Sequence, residues 1–175
     1  MKIIMTLGVG LLYVGAVLLL NGIGRIKKYS LKSLSIMNFF TGGLYVLITC
    51  INLAFDVFRE QQIDSFYNVA TGMLFGFTYL FVGVTDWLDL DGGPLAWYSL
   101  FVGINTIPCS YIAYQQGDIR FCVIWLAWGF LWFLNFIEGA VSNIKLPSKL
   151  VPVVSILVGV FTCWIPGFML LANWW

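Results

Sequence analysis

Six long apolar stretches follow one another along the chain, and short segments that carry most of the charges separate them. A helix of about 20 apolar residues crosses the hydrocarbon core of a bilayer. The stretches cover approximately residues 4–23, 34–55, 66–86, 95–115, 120–142 and 149–172. The pattern predicts an all-α integral membrane protein with six transmembrane helices. Because little chain remains outside these spans, we expect residues 1–175 to form a single domain.

Large aromatic residues form a stripe along the fifth span. The stripe consists of aromatic residues separated by 4, 3, 4 and 4 positions: Phe121, Trp125, Trp128, Trp132 and Phe136. Since an α-helix turns by about 100° per residue, these positions share one helix face. Tryptophans that face lipid usually collect at the two membrane interfaces, so indoles near mid-span need another explanation. One interpretation is packing between helices. The other is a narrow slot for a small, flat, uncharged polar solute.

Glycine spacing predicts two seams where helices approach closely. Gly8, Gly15 and Gly22 repeat every seven residues on the first span, and the third span carries a similar seam at Gly72, Gly76 and Gly83. A stripe of larger residues lies beside each seam. Periodicity alone leaves open whether these stripes face a shared interior or lipid.

Basic residues are distributed unevenly between the two sets of loops. One set carries Arg25, Lys27, Lys28, Lys32, Lys145 and Lys149, and the other carries Lys2, Arg59 and Arg120. Since cytoplasmic loops are enriched in Lys and Arg, the N-terminus is predicted to lie outside, and six spans return the C-terminus to the same side.

The composition excludes most catalytic chemistry. The chain is 61% hydrophobic and 10% charged, and it contains no histidine. None of its four cysteines has the spacing of a zinc site, and no span carries paired carboxylates. We therefore expect no enzyme activity, no cofactor, no metal and no nucleic-acid partner. Charge is also missing from the middle of the spans, which favours passive movement of a neutral solute over ion-coupled transport.

Several segments resemble the AmiS/UreI family of urea and short-chain amide channels. They are LGVGLLYVGAVLLLNGI (7–23), MNFFTGGL (37–44), SFYNVATGMLFGFTYLF (65–81), WYSLFVGINTIPC (97–109), IWLAWGFLWFLNFIEG (124–139) and FTCWIPGFML (161–170). The resemblance implies a protomer of six transmembrane helices, arranged as three hairpins around its own pore. It also implies a homohexamer whose central hole is filled with lipid. Urea or a small amide would pass between aromatic and aliphatic constrictions.

The resemblance also implies which side chains line the pore. These residues largely coincide with the stripes described above, which strengthens the expectation that the stripes face inward. Carried over position by position, they are Leu7, Leu11, Val14, Leu18, Phe75, Tyr79, Phe121, Trp125, Trp128, Leu131 and Trp132.

Two departures from the family pattern concern gating. Members that open in acid carry histidines in external loops and a long loop between the second and third spans, whereas this chain has no histidine and a short loop. A histidine-based switch is thereby excluded. Some members carry glutamate where this chain has Val158. The remaining acid-sensing candidates are the external carboxylates Asp56, Glu60, Asp64 and Asp118.

These observations predict a passive urea channel of the bacterial cytoplasmic membrane that supplies a cytoplasmic urease and lacks a histidine-based acid gate. Two alternatives remain. The first is a facilitator of short-chain aliphatic amides. The second is a non-conducting membrane scaffold whose aromatic residues serve packing alone.

Overall fold

A computed structural model describes the backbone of residues 2–58 and 63–175, and the side chains of residues 6–55 and 66–175. Within these ranges the chain is largely helical and forms six rods. The first five are α1 (Lys2–Lys27), α2 (Leu31–Phe58), α3 (Ile63–Leu88), α4 (Gly93–Gln115) and α5 (Ile119–Ala140). The sixth is continuous but composite: α6 (Leu150–Val158), a π-helical segment (Gly159–Trp164) and α7 (Ile165–Leu171).

Five of these rods, in the part of the chain that the structure describes, are long and apolar enough to cross a membrane. The exception is α4, which has 23 residues but a more polar composition. Two of its hydroxyl groups form hydrogen bonds within the helix. Ser99 donates to the carbonyl of Leu95, and Thr106 donates to the carbonyl of Gly103. Because such bonds satisfy polar groups inside the helix itself, α4 packs in the bundle despite its lower hydropathy.

Left-handed residues follow four of the described helices, among them α1, α3 and α4. Lys28, Asp89 and Gly117 have φ values of 58°, 55° and 77°. In each case the next residue donates its N–H to a carbonyl five residues earlier, as Asp118 does to Ala113 at 3.0 Å. This is the hydrogen bond that closes a helix in the Schellman motif. The turns are therefore tight, and consecutive helices run antiparallel.

The helices associate mainly in three pairs: α2 with α3, α4 with α5, and α1 with the composite sixth rod. The first two pairs are hairpins of consecutive helices, whereas the third joins the two ends of the chain. The glycine seams lie in these contacts, as their spacing predicts. A Cβ at Gly15 would lie 2.7 Å from the backbone nitrogen of Trp164, and one at Gly76 would lie 2.9 Å from the side chain of Val46.

The core lies between these pairs and is rich in rings. It includes fully buried aliphatic residues of α1, namely Leu11, Val14 and Val17. Phe75 of α3 and Trp128 of α5 complete it from the opposite side. Large apolar side chains also cover the outside of the bundle, including Trp97 and Phe161, which are 62% and 63% exposed. An apolar exterior of this kind suits a lipid environment.

Candidate solute pathway

Two cavities lie inside the bundle, and they share one wall. The large cavity has a volume of about 360 Å³ and is lined near its mouth by Arg25, Asp86 and Glu138. The small cavity has a volume of about 220 Å³, and its lining includes Gln116 and Asp118 from the opposite end of the bundle. Phe75 and Trp128 line both cavities. The two cavities therefore lie in line, and this pair of rings forms the partition between them.

The partition is the centre of a cluster of aromatic rings. The ring centroid of Phe75 lies 4.8 Å from that of Trp128 and 5.2 Å from that of Trp132, both edge to face. Trp125 lies 6.0 Å from Phe75, and Tyr45 of α2 stacks on its other side at 5.4 Å. These distances fall within the range in which aromatic pairs attract one another. The partition is thus made of rings that hold each other in place.

One indole of the cluster is fixed by a hydrogen bond to the sixth rod. Trp128 Nε1–H donates to Thr162 Oγ1 at 2.9 Å, and the Thr162 hydroxyl donates to the carbonyl of Val158 at 2.6 Å. Thr162 belongs to the π-helical segment, and such segments are frequent at functional sites. Because this N–H already has an acceptor, Trp128 presents its ring, rather than its polar edge, to the two cavities.

The structure brings the sequence-predicted pore residues together. Seven of them line the large cavity: Val14, Leu18, Phe75, Tyr79, Trp128, Leu131 and Trp132. Those that line the small cavity are Leu7, Phe75, Phe121, Trp125 and Trp128. Leu11 lines neither, and it is fully buried beside them in the core. The aromatic stripe ends before Phe136, which instead packs against Trp97 at 5.1 Å on the outside of α5.

Polar groups concentrate at the mouth of the large cavity. Arg25 Nη2 lies 2.7 Å from each carboxylate oxygen of Glu138, so an ion pair links α1 to α5 there. Both side chains are about one-third exposed. The cavity wall between this ion pair and the partition contains only uncharged polar and apolar residues, apart from Asp86 at the end of α3. Charge is therefore confined to the mouth.

At the other mouth, Asp118 has structural partners. One of its carboxylate oxygens accepts from the backbone N–H of Phe121 at 3.0 Å and so caps α5. The other accepts from Trp175 Nε1–H at 3.4 Å. Trp175 also packs on Phe121, with ring centroids 5.0 Å apart, and beneath the guanidinium of Arg120. The C-terminal tryptophan is thus part of this end of the bundle.

The other three acid-sensing candidates, Asp56, Glu60 and Asp64, lie outside the residues whose side chains the structure describes. In the described part of the chain, no group of three or more His, Cys, Asp or Glu side chains converges on one point.

Two residues that contact the ring cluster, Tyr45 and Thr162, were not among the predicted pore residues. Tyr45 lines the small cavity and stacks on Phe75, and its buried hydroxyl has no hydrogen-bond partner among the described residues. Its signal in the sequence is its position beside small residues within the second span. Thr162 was recognised only as a polar residue in a span, because nothing in the sequence shows which helix it faces.

A membrane bundle that contains two cavities in line, separated by side chains rather than by backbone, is the architecture of a protein that passes small solutes. The comparisons with known proteins agree with this class. The profile of the AmiS/UreI family of transporters matches residues 6–174. The chain belongs to the AmiS/UreI family and is a multi-pass protein of the bacterial cytoplasmic membrane.

Proteins similar to this chain include both urea channels and amide transporters. The acid-activated urea channel of Helicobacter pylori (strain ATCC 700392 / 26695) is 38% identical over 197 aligned positions, which cover 97% of this chain and 99% of the relative. A putative amidate substrates transporter protein of Mycolicibacterium smegmatis is 36% identical, covering 96% of this chain and 78% of the relative. Since the first alignment is longer than the 175 residues of this chain, that relative contains insertions that this chain lacks.

Solved structures match the fold closely. The crystal structure of the Helicobacter pylori urea channel superimposes with a TM-score of 0.88 at 39% identity, and the alignment covers 97% of this chain and 99% of the other. The cryo-electron microscopy structure of the same channel in a closed state also gives a TM-score of 0.88, at 40% identity.

Proposed function

We propose that this protein is a passive channel for urea, formed by one domain over residues 1–175. The observation that carries the proposal is the pair of cavities that meet at Phe75 and Trp128. Together they extend from the end of the bundle that carries Arg25 to the end that carries Asp118. Only a layer of side chains separates them, so a small rearrangement of rings connects one side of the membrane with the other.

The chemistry of this pathway suits a flat neutral solute. Ring faces make favourable contact with a planar amide, while polar groups on either side replace part of the water that the solute loses. A hydrated ion loses far more solvation than an uncharged aromatic partition returns, so ions are excluded. The charged residues that line the large cavity, Arg25, Asp86 and Glu138, lie towards its mouth, so no charged residue lies at the partition, where coupled transport usually places one.

We propose the orientation from the distribution of basic residues in the loops, and the assembly from the resemblance to the family. The end that carries Arg25 and most of the loop lysines faces the cytoplasm, with both termini outside. Three helix pairs surround the pathway of each protomer, and six protomers form a ring around a lipid-filled centre. The exposed rings of Trp97 and Phe161 then face lipid or neighbouring protomers. Urea released at the inner mouth supplies a cytoplasmic urease.

Gating differs from that of the acid-activated relative. This chain has no histidine, so no side chain of the kind that ordinarily titrates between pH 5 and 8 is available for a switch. Of the four external carboxylates, Asp118 is engaged as a helix cap. We therefore propose a channel without a histidine-based acid gate.

Transport of short-chain aliphatic amides is the second candidate function. It is favoured by the amidate transporter of Mycolicibacterium smegmatis and by the putative transporter protein AmiS2 of Rhodococcus erythropolis, each 36% identical to this chain. The partition of rings accepts any flat amide of similar width. A scaffold role, by contrast, gives no reason for two enclosed cavities in line.

Solute flux into proteoliposomes tests the proposal. Purified protein is reconstituted, and light scattering after an osmotic step measures the entry of urea, acetamide and propionamide. The proposal predicts urea permeability well above that of protein-free liposomes and above that of either amide. Faster entry of the amides supports the second candidate, and permeability equal to that of protein-free liposomes refutes both.

A further inference from the structure

Two asparagines form a reciprocal pair between α1 and α2. Asn21 Nδ2–H donates to Asn38 Oδ1 at 3.0 Å, and Asn38 Nδ2–H donates to Asn21 Oδ1 at 3.0 Å. Asn38 is fully buried, whereas Asn21 is partly exposed and lines the large cavity. The two carboxamides therefore differ in their access to a solute.

The orientation of this pair is set by the backbone. The second N–H of Asn38 donates to the carbonyl of Leu34 at 3.0 Å. Rotating the Asn38 amide by 180° would place its oxygen against that carbonyl and leave two acceptors facing each other. Because Asn38 is held in one orientation, its partner Asn21 is also held in one orientation.

Asn21 keeps unused hydrogen-bonding capacity after this pairing. A carboxamide offers two N–H donors and two lone pairs on its oxygen. The pair with Asn38 uses one of each, and the structure gives Asn21 no other hydrogen bond within the described part of the chain. One N–H and one lone pair therefore remain on a residue that lines the cavity.

Two hydroxyl groups of the large cavity have used their donors and keep only acceptors for a solute. The hydroxyls of Thr78 and Ser99 donate to the carbonyls of the residues four positions earlier, at 2.7 and 3.0 Å. Asn135 likewise donates one N–H to the carbonyl of Leu131, which leaves its oxygen and its other N–H unused. Asn21 and Asn135 therefore each keep a free N–H in the cavity, and Asn21 is distinguished by the side-chain partner that fixes the plane of its amide.

This distribution matches the groups of urea, which has four N–H donors and one carbonyl acceptor. We propose that Asn21 is a selectivity residue of the large cavity: its free N–H donates to the carbonyl of a passing urea or amide. Asn38 is the positioning residue that holds Asn21 in this orientation. The proposal rests on the proposed function, and it assigns a contact that the ring partition does not provide.

A comparison of urea with thiourea distinguishes a hydrogen bond to Asn21 from discrimination by solute size alone. It keeps the N–H donors of urea but replaces the carbonyl oxygen with sulfur, which is a weaker acceptor. The test variant is Asn21→Leu combined with Asn38→Leu, since replacing both partners of a buried hydrogen bond with apolar groups of similar size leaves stability nearly unchanged. The matched control is Asn105→Leu, an asparagine within α4 that lines neither cavity and donates to the carbonyl of Phe101.

Proteoliposome flux of urea and thiourea is measured for the three proteins at equal reconstituted amounts. We expect the permeability ratio of urea to thiourea to be about five- to tenfold lower in the double variant than in the wild type. This factor corresponds to one net hydrogen bond of about 1 to 1.4 kcal/mol. The Asn105 variant should keep wild-type selectivity. A double variant that conducts with wild-type selectivity overturns the inference, whereas absence of urea flux in the wild type refutes the proposed function itself.

A second measurement uses the unaltered protein, in case the double variant does not assemble. Solid-state NMR of protein labelled with ¹⁵N in asparagine side chains is recorded in bilayers with and without urea. The inference predicts that urea shifts the Asn21 side-chain resonance, with a smaller change at Asn38 and none at Asn105. An Asn21 resonance that stays unchanged at urea concentrations that give measurable flux overturns the inference.

Discussion

Replacing Phe75 with alanine removes the ring that the two cavities share. The Phe75 side chain is 5% exposed and contacts four other rings, those of Tyr45, Trp125, Trp128 and Trp132. At about 0.5 to 1.5 kcal/mol for each aromatic pair, the ring contributes about 2 to 6 kcal/mol of contact energy. The real loss is smaller because contacts within one cluster are not additive. We expect a folded variant with a clearly lower thermal midpoint.

The same change should connect the cavities. Without the ring, the pathway is wider at its narrowest point, so urea flux stays at or above the wild-type rate while discrimination against larger solutes falls. We expect the permeability ratio of urea to propionamide to fall by about tenfold, which corresponds to roughly 1.4 kcal/mol of differential free energy. Phe75→Leu, which keeps an apolar side chain without a ring, should give an intermediate ratio.

A matched control lies two residues further along the same helix. Phe77 is 50% exposed on the outer face of α3 and lines neither cavity. Phe77→Ala removes an equal side chain from the same span, and it should keep wild-type flux and selectivity. The assay is osmotic light scattering of proteoliposomes, with size-exclusion chromatography to verify assembly. If Phe75→Ala assembles normally and retains the wild-type selectivity, the ring is a packing residue and the partition has been assigned wrongly.

Three further predictions concern assembly, one helix cap and pH. Gly15→Leu should prevent assembly into monodisperse protein, because a Cβ at this position would lie 2.7 Å from the backbone of the sixth rod. Gly43→Leu should be tolerated, because a Cβ there has no atom within 4 Å. Size-exclusion profiles of the two variants that match each other would contradict this prediction. Asp118→Ala should lower the free energy of unfolding by about 1 kcal/mol through loss of the α5 cap, and Asp118→Asn should lower it less, as thermal unfolding can measure. Urea permeability at pH 5.5 and at pH 7.5 should agree within about a factor of two to three, since no histidine is present, and a steep rise towards acid would assign a switch to carboxylates.

Features that depend on the residue spacing within a single helix could be predicted from the sequence. The seams of Gly15 and Gly76 were predicted from spacing, because close approach of two helices requires a small residue at each turn of the contact, whatever the partner. The apolar stretches likewise predicted the rods, with differences of a few residues at their ends. For example, the fifth span was predicted to residue 142, but α5 ends at Ala140. Polar residues in α4 did not prevent helix formation, since the helix satisfies them internally.

The sequence did not predict which side chains on different helices form hydrogen bonds with each other. Asn21 and Asn38 were each expected to need a hydrogen-bond partner, but their pairing depends on the relative rotation and height of α1 and α2. The bond from Trp128 to Thr162 depends further on the π-helical segment, whose extra residue per turn changes which side chains face α5. No spacing rule along one helix contains this information.

The C-terminus gives a further example of this limit. The sequence pattern gives Trp175 no partner, which would make its replacement a candidate control for the pore variants. In the structure its indole contacts Asp118, Phe121 and Arg120 at the mouth of the small cavity. The interaction joins residues far apart in the chain, so only the folded arrangement of α5 and the sixth rod brings them together. Phe77 is therefore the better control.

Passive conduction is the central claim, and the end point of urea uptake tests it most directly. Proteoliposomes are supplied with radiolabelled urea at equal concentrations inside and outside, and then a sodium gradient, a proton gradient or a potassium diffusion potential is imposed. The account predicts rapid exchange of label, with an internal concentration that stays equal to the external one under every gradient. Accumulation of urea above the external concentration under any of these gradients would contradict it.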